Sequence, residues 1–137
     1  METVILDAGP LIAYFDANEE HHAWCVQRFE AIKPPLISCE AALAEAIYVV
    51  ESRDGDSDPI FEFVRQGVIR LPFCLNDEIE AIINLRRRYS DVPMSLADAC
   101  LLRMSETRTN TRVFTLDSDF KIYRRHGRQV IPLIFPE

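Results

Sequence analysis

The feature that most constrains this chain is an alternation: short apolar runs halt at turn residues or acids, and each is followed by a stretch with helical patterning. Thr3-Val4-Ile5-Leu6 stops at Asp7-Ala8-Gly9-Pro10 and reads as a buried strand, with Pro10 suited to the first position of a short helix. Asn18 is placed to cap a second helix running to about Ala31, with Glu19 and Glu20 in its first turn. Leu36-Ile37 makes a second strand, Ser38 caps a helix through Val50, and Asp58-Pro59 opens a short helix that stops at Gly67. Val68 to Phe73 is a strand, and Asn76 caps a helix that begins with Asp77 and Glu78 and ends with Arg86, Arg87 and Arg88, an order that complements the helix dipole. Ser95 to about Thr107 is helical, Arg112 to Thr115 is a strand, Asp117 caps a helical turn to about Tyr123, and Val130 to Phe135 is the last strand. Strands separated by helices imply crossover connections and a mostly parallel sheet covered on both faces, an α/β/α sandwich formed as a single domain over residues 1–137.

Composition narrows the function classes. With 48% hydrophobic and 27% charged residues, and only 4 Gly and 8 Pro, the chain is neither fibrous nor wholly disordered. Cys25, Cys39, Cys74 and Cys100 form no C-x-x-C pair and no zinc-finger spacing, so they read as buried reduced thiols. No apolar run is long enough for a membrane span and the N-terminus carries no basic leader, so the expectation is a cytoplasmic protein. The net charge of −7 is uneven: residues 1–68 hold 4 basic and 13 acidic groups, residues 69–137 hold 11 and 9.

In parallel sheets, ligands bind beyond the carboxyl ends of the strands, and that is where four acids fall. Asp7 follows the first strand and Asp117 follows the strand ending near Thr115. Asp98 lies in the first turn of the helix after Ser95, whose N-terminus points to the same edge. Glu45 stands among alanines in Ala41-Ala42-Leu43-Ala44-Glu45-Ala46; at about 100° per residue it lies off the helix face set by Glu40 and Glu51. Each has a plainer reading. Asp7 can make an Asx turn, Asp117 can cap a helix, Ser95-x-x-Asp98 resembles a capping box, and Glu45 can be a solvated helix acid. What independent caps leave unexplained is that the topology sends all four to one edge.

Clustered carboxylates repel one another unless a cation neutralises them. Oxygen ligands suit a hard ion, Mg²⁺ or Mn²⁺, and the lack of clustered His and Cys argues against zinc; His21, His22 and His126 read as surface residues. Such a site suits phosphodiester hydrolysis, with water activated and charge on the phosphorus oxygens stabilised.

Ile5-Leu6-Asp7-Ala8-Gly9-Pro10-Leu11, the helical Glu45, Pro93-Met94-Ser95-Leu96-Ala97-Asp98-Ala99 and Thr115-Leu116-Asp117-Ser118-Asp119-Phe120 together resemble the PIN-domain family, most nearly its VapC-like ribonuclease toxins. The resemblance spans nearly the whole chain, and its two later motifs are the specific part. It implies an Mg²⁺- or Mn²⁺-dependent endoribonuclease that forms a homodimer and pairs with a separate antitoxin protein. By motif match, the catalytic and metal-binding set is Asp7, Glu45, Asp98 and Asp117, with Asp119, Thr115 and Ser95 as accessories. Many similar sequences carry an acid at the position of Ser95; the serine removes one charge there and either weakens metal binding or leaves a helix cap.

An RNA substrate also calls for cationic contacts. Arg86, Arg87 and Arg88 already complement a helix dipole, so the expected RNA-binding residues are Lys121, Arg124, Arg125 and Arg128, which follow the Asp117 motif. Trp24 needs no role beyond the core or a dimer interface. A PIN-like domain that binds RNA or a partner without cleaving it is the competing reading. A phosphate-receiver domain fits poorly because Asp7 is followed by Ala8-Gly9, and a phosphatase of the Asp-x-Asp type would need an acid where Gly9 stands.

Overall fold

The computed structural model describes residues 1–137. Its strands are β1 (Thr3–Leu6), β2 (Leu36–Ile37), β3 (Ile69–Arg70), β4 (Thr111–Phe114), β5 (Arg124–Arg125), β6 (Gln129–Val130) and β7 (Leu133–Ile134). Five of them form one parallel sheet in the order β3-β2-β1-β4-β7, while β5 and β6 make a separate antiparallel hairpin. The helices are α1 (Ala8–Phe15), α2 (His22–Ala31), α3 (Glu40–Ser52), α4 (Asp58–Arg65), α5 (Ile79–Arg88) and α6 (Leu96–Glu106). No helix is long and apolar enough to cross a membrane.

Alternation along the strands produces the layers. Val4 and Leu6 face one side of the sheet with Leu36 and Phe114, where Leu11, Ile12, Cys25, Phe29 and Ile60 from α1, α2 and α4 cover them. Ile5 faces the other side with Ile37 and Val113, beneath Ile82 and Leu85 of α5 and Leu101 and Leu102 of α6. This is the α/β/α sandwich expected from the sequence. α3 straddles the two layers, giving Ala42 to one core and Ala46 and Val50 to the other.

The order of strands fixes where a ligand can sit. From β1 the chain builds outward to β2 and β3 on one side, and later places β4 and β7 on the other. The end of β1 is therefore a switch point, where helices leave in opposite directions and open a crevice at the carboxyl edge. Gly9 lets the first turn of α1 approach the loop after β4: a Cβ there would meet the Leu116 Cβ at 3.4 Å.

Several boundaries differ from the sequence reading for local reasons. α1 begins at Ala8, directly under an Asp7 cap, so Pro10 falls within its first turn. α2 starts only at His22, because the Asp16 carboxylate accepts the Asn18 N–H at 2.9 Å and folds the preceding segment into turns. Ser38 does not cap α3; its hydroxyl donates to the Leu6 carbonyl at 2.7 Å, and Cys39 holds the cap position. Asn76 lies inside a 3-10 turn, Asn76–Glu78, that leads into α5. β3 is two residues long, and the expected last strand is divided between β6 and β7. α4 ends as expected at Gly67, whose φ of +76° suits glycine. Three cysteines are buried thiols, but Cys74 is exposed.

Candidate active site

Asp7, Glu45, Ser95, Asp98 and Asp117 line one open cavity of about 440 Å³, together with Gly9, Ile12, Glu19, Pro93 and Leu116. Each acid is delivered by a different element. Asp7 caps α1 at the end of β1, its Oδ1 accepting the Ala8 N–H at 2.8 Å. Ser95 caps α6 by accepting the Asp98 N–H at 3.0 Å, which sets Asp98 in the first turn of that helix. Asp117 caps the 3-10 turn Ser118–Lys121, its Oδ1 accepting the Asp119 N–H at 2.9 Å. Glu45 reaches the cavity from the exposed side of α3. The capping roles and the shared cavity therefore coexist: the caps are how the fold aims the acids.

Two buried hydroxyls hold the two most enclosed carboxylates. The Thr115 hydroxyl donates to Asp7 Oδ2 at 2.7 Å and accepts the Asp117 N–H at 2.9 Å, tying the acids after β1 and β4 to one side chain. The Tyr123 hydroxyl donates to Asp98 Oδ2 at 3.0 Å. Thr115 is marked in the sequence by its motif, whereas Tyr123 carries no signal, because only the 3-10 turn after Asp117 brings its ring under α6. Glu19, a helix-start charge by sequence, reaches the cavity because the segment before α2 folds into turns that bring it there.

Electrostatics set these acids apart. Burial raises the Asp7 carboxyl from an ordinary 3.8 to about 7; the Asp98 and Glu45 charges push the same way, and the bonds from Thr115 and Ala8 only partly offset them. Asp98 is also raised, by burial first and by Asp117, against the opposing bonds from Tyr123 and Ser95. Burial and the Asp98 charge push Tyr123 up, so it stays a phenol and a donor.

The donor set is all oxygen, which suits a hard divalent cation. No three of these side chains converge to enclose an ion by themselves. An Mg²⁺-sized ion keeps several waters, and the open cavity leaves room for them, so the residues fit an ion held by one or two carboxylates and water rather than a closed protein cage. Of the four acids that line the cavity and could hold it, Asp7 and Asp98 are buried, Asp117 is half-buried and Glu45 is exposed.

The remaining predicted residues are dispersed. Asp119 does not line the cavity; its backbone N–H binds Asp117 and its carbonyl accepts the Ile122 and Tyr123 N–H groups. The Arg124 guanidinium is turned onto the carbonyls of Lys121, Ile122 and Tyr123, and that of Arg125 onto Ser105 and Arg108. Lys121 and Arg128 are exposed. Arg88 joins them near the β5–β6 hairpin: a Cβ on Gly127 would lie 3.4 Å from its Nη1.

Residues 4–125 match the PIN domain, and the chain belongs to that family. Among its relatives, it is 28% identical over 132 residues to Ribonuclease VapC26 of Mycobacterium tuberculosis, an alignment covering 95% of this chain and 93% of that protein. In fold it is similar to the crystal structure of VapC20 of the same organism, described as a sarcin-ricin loop cleaving toxin. That match has a TM-score of 0.76 at 20% identity and covers 95% of this chain and all of the other.

Proposed function

We propose that this chain is an Mg²⁺- or Mn²⁺-dependent endoribonuclease and the toxin of a toxin–antitoxin pair, acting in the cytoplasm as a homodimer on RNA. The observation that carries the reading is the meeting of Asp7, Glu45, Asp98 and Asp117 at one open cavity in a chain of the PIN-domain family. The ribonuclease and toxin names of its relatives support RNA as the substrate class and a toxin role, for which an antitoxin would be the partner.

A divalent cation bound there would activate water and offset charge on the phosphorus oxygens. The chain's own residues prepare the site for it. Asp7, near 7 when the cavity holds no cation, gives up its proton as a cation approaches, so binding releases acid. Thr115 and Tyr123 each occupy one carboxylate oxygen, fixing how Asp7 and Asp98 present themselves to the cavity. Ser95 adds a cap without adding charge, so the Asp98 side of the site holds one acid where many similar sequences hold two. Asp117 and Glu45 are free to orient water or substrate.

The competing reading, a domain that binds RNA without cleaving it, draws on the absence of three acids converging on one point. One experiment separates the two. Wild type with Mn²⁺ should cleave single-stranded RNA and stop on addition of EDTA. Asp7→Asn should lower the rate by about a thousandfold while leaving the circular dichroism unchanged. Full activity in Asp7→Asn, or no cleavage by wild type, overturns the proposal. Light scattering tests the dimer: a species of only 15.8 kDa would count against it.

A further inference from the structure

Beside the acidic cavity lies a second one, of about 510 Å³, lined by His21, Trp24, Arg28, Phe135, Pro136 and Glu137. The two adjoin in the fold. Glu19 lines the first and His21, two residues on, lines the second. Phe135 follows β7 as Thr115 follows β4, with Phe114 and Ile134 paired in register and the Thr115 N–H bonded to the Ile134 carbonyl at 3.1 Å. The two cavities thus open at the same edge of the sheet, on neighbouring strands about 4.8 Å apart.

The second cavity has different chemistry. Its aromatic groups are Trp24, which rests edge-on against Phe114 with centroids 5.8 Å apart, and Phe135. Each carries a cation: the Arg28 guanidinium stands 5.7 Å from the Trp24 ring, and Lys121 Nζ stands 4.1 Å from the Phe135 ring. Neither cation is paired with a carboxylate, and Arg28 Nε is buried without a hydrogen-bond partner. Two rings, each with an unpaired cation over it, suit an unpaired nucleotide, which needs a surface to stack its base and positive charge for its phosphate. The Glu137 carboxylate adds an acceptor for base amino groups. An acidic peptide would use the cations and leave the ring faces idle.

We infer that this cavity is a nucleotide subsite, in which Trp24 and Phe135 stack a base of single-stranded RNA while Arg28 and Lys121 hold its backbone beside the acidic cavity. The inference deepens the ribonuclease reading and rests on it for the identity of the polymer.

Trp24 is the only tryptophan in the chain, so its fluorescence reports on this cavity alone. In EDTA, a 2′-O-methyl oligoadenylate should quench it saturably. Phe135→Leu should weaken binding about tenfold, equal to about 1.4 kcal/mol, and Phe135→Tyr, which keeps the ring, should restore it. In cleavage assays, Phe135→Leu should raise KM by a similar factor with kcat held within about twofold. The inference is overturned if an abasic oligomer quenches as strongly, if poly-Glu is the only polymer that quenches, or if the oligoadenylate binds by anisotropy while Trp24 stays silent. Failure of the two readings looks different. Quenching without Mn²⁺-dependent cleavage would keep the subsite and remove the nuclease, whereas cleavage with a silent Trp24 and a fully active Phe135→Leu would do the reverse.

Discussion

β1 carries an acid just before its first residue and another just after its last, both facing β4, and the two are treated in opposite ways. Glu2 is half-exposed and held by Arg112 of β4 through two parallel hydrogen bonds of 2.8 and 2.9 Å. Asp7 is buried, meets only the Thr115 hydroxyl and a backbone N–H, and faces other carboxylates. An arginine beside Asp7 would have served stability. Its absence leaves the amino edge of the sheet electrostatically closed and the carboxyl edge open to a cation from outside, which is the difference between a charge that holds a fold and one kept for chemistry.

The largest expected effect comes from the pH dependence of the cation-free protein. The Asp7 carboxyl lies near 7 in the folded chain and at 3.8 when unfolded, so between those values the native state binds the extra proton. The contribution of Asp7 to stability should therefore be fully present at and below about pH 4 and be lost as the pH rises to about 7, by roughly 4 kcal/mol at most. Urea unfolding in EDTA should show this fall, and Asp7→Asn should flatten it; an unchanged slope would mean that Asp7 is not strained.

A smaller effect is expected at Tyr123. Tyr123→Phe removes the donor to Asp98 Oδ2 and leaves a buried carboxylate oxygen short of a partner, which should cost about 2 kcal/mol at neutral pH in EDTA. The loss should shrink in acid, where Asp98 is protonated. A loss that is constant with pH would point to packing instead.

The smallest effect sharpens the contrast at the other end of β1. Glu2→Gln breaks a half-exposed ion pair and should cost about 0.5 kcal/mol, less at high salt, with no change in RNA cleavage. A large loss of activity there would erase the distinction between the two edges.

How much of this could be read from the sequence follows from what is local. Asp7, Asp98 and Asp117 sit where an apolar run or a serine marks an element's start, and the residues that mark a cap are the residues that aim an acid, so both readings of each proved compatible. The layers were legible because Val4, Ile5 and Leu6 alternate between two cores. Glu19 and Tyr123 were not legible, since each reaches the site through a turn whose direction is set by tertiary packing. The basic residues illustrate the same limit. Arg124 and Arg125 look like free charges in sequence, yet their guanidinium groups satisfy backbone carbonyls around the hairpin.

The central claim is that the carboxylates form one cation site, not separate caps, and thermal melting of wild type against Asp98→Asn tests it most directly. In EDTA the variant keeps the Ser95 cap and loses a repelling charge, so it should melt at the same or a higher temperature. Mn²⁺ at about ten times its dissociation constant should stabilise wild type by about 1.4 kcal/mol and the variant by clearly less. If Mn²⁺ shifts both melting temperatures equally, or shifts neither, Asp98 is only a first-turn residue of α6 and the account is contradicted.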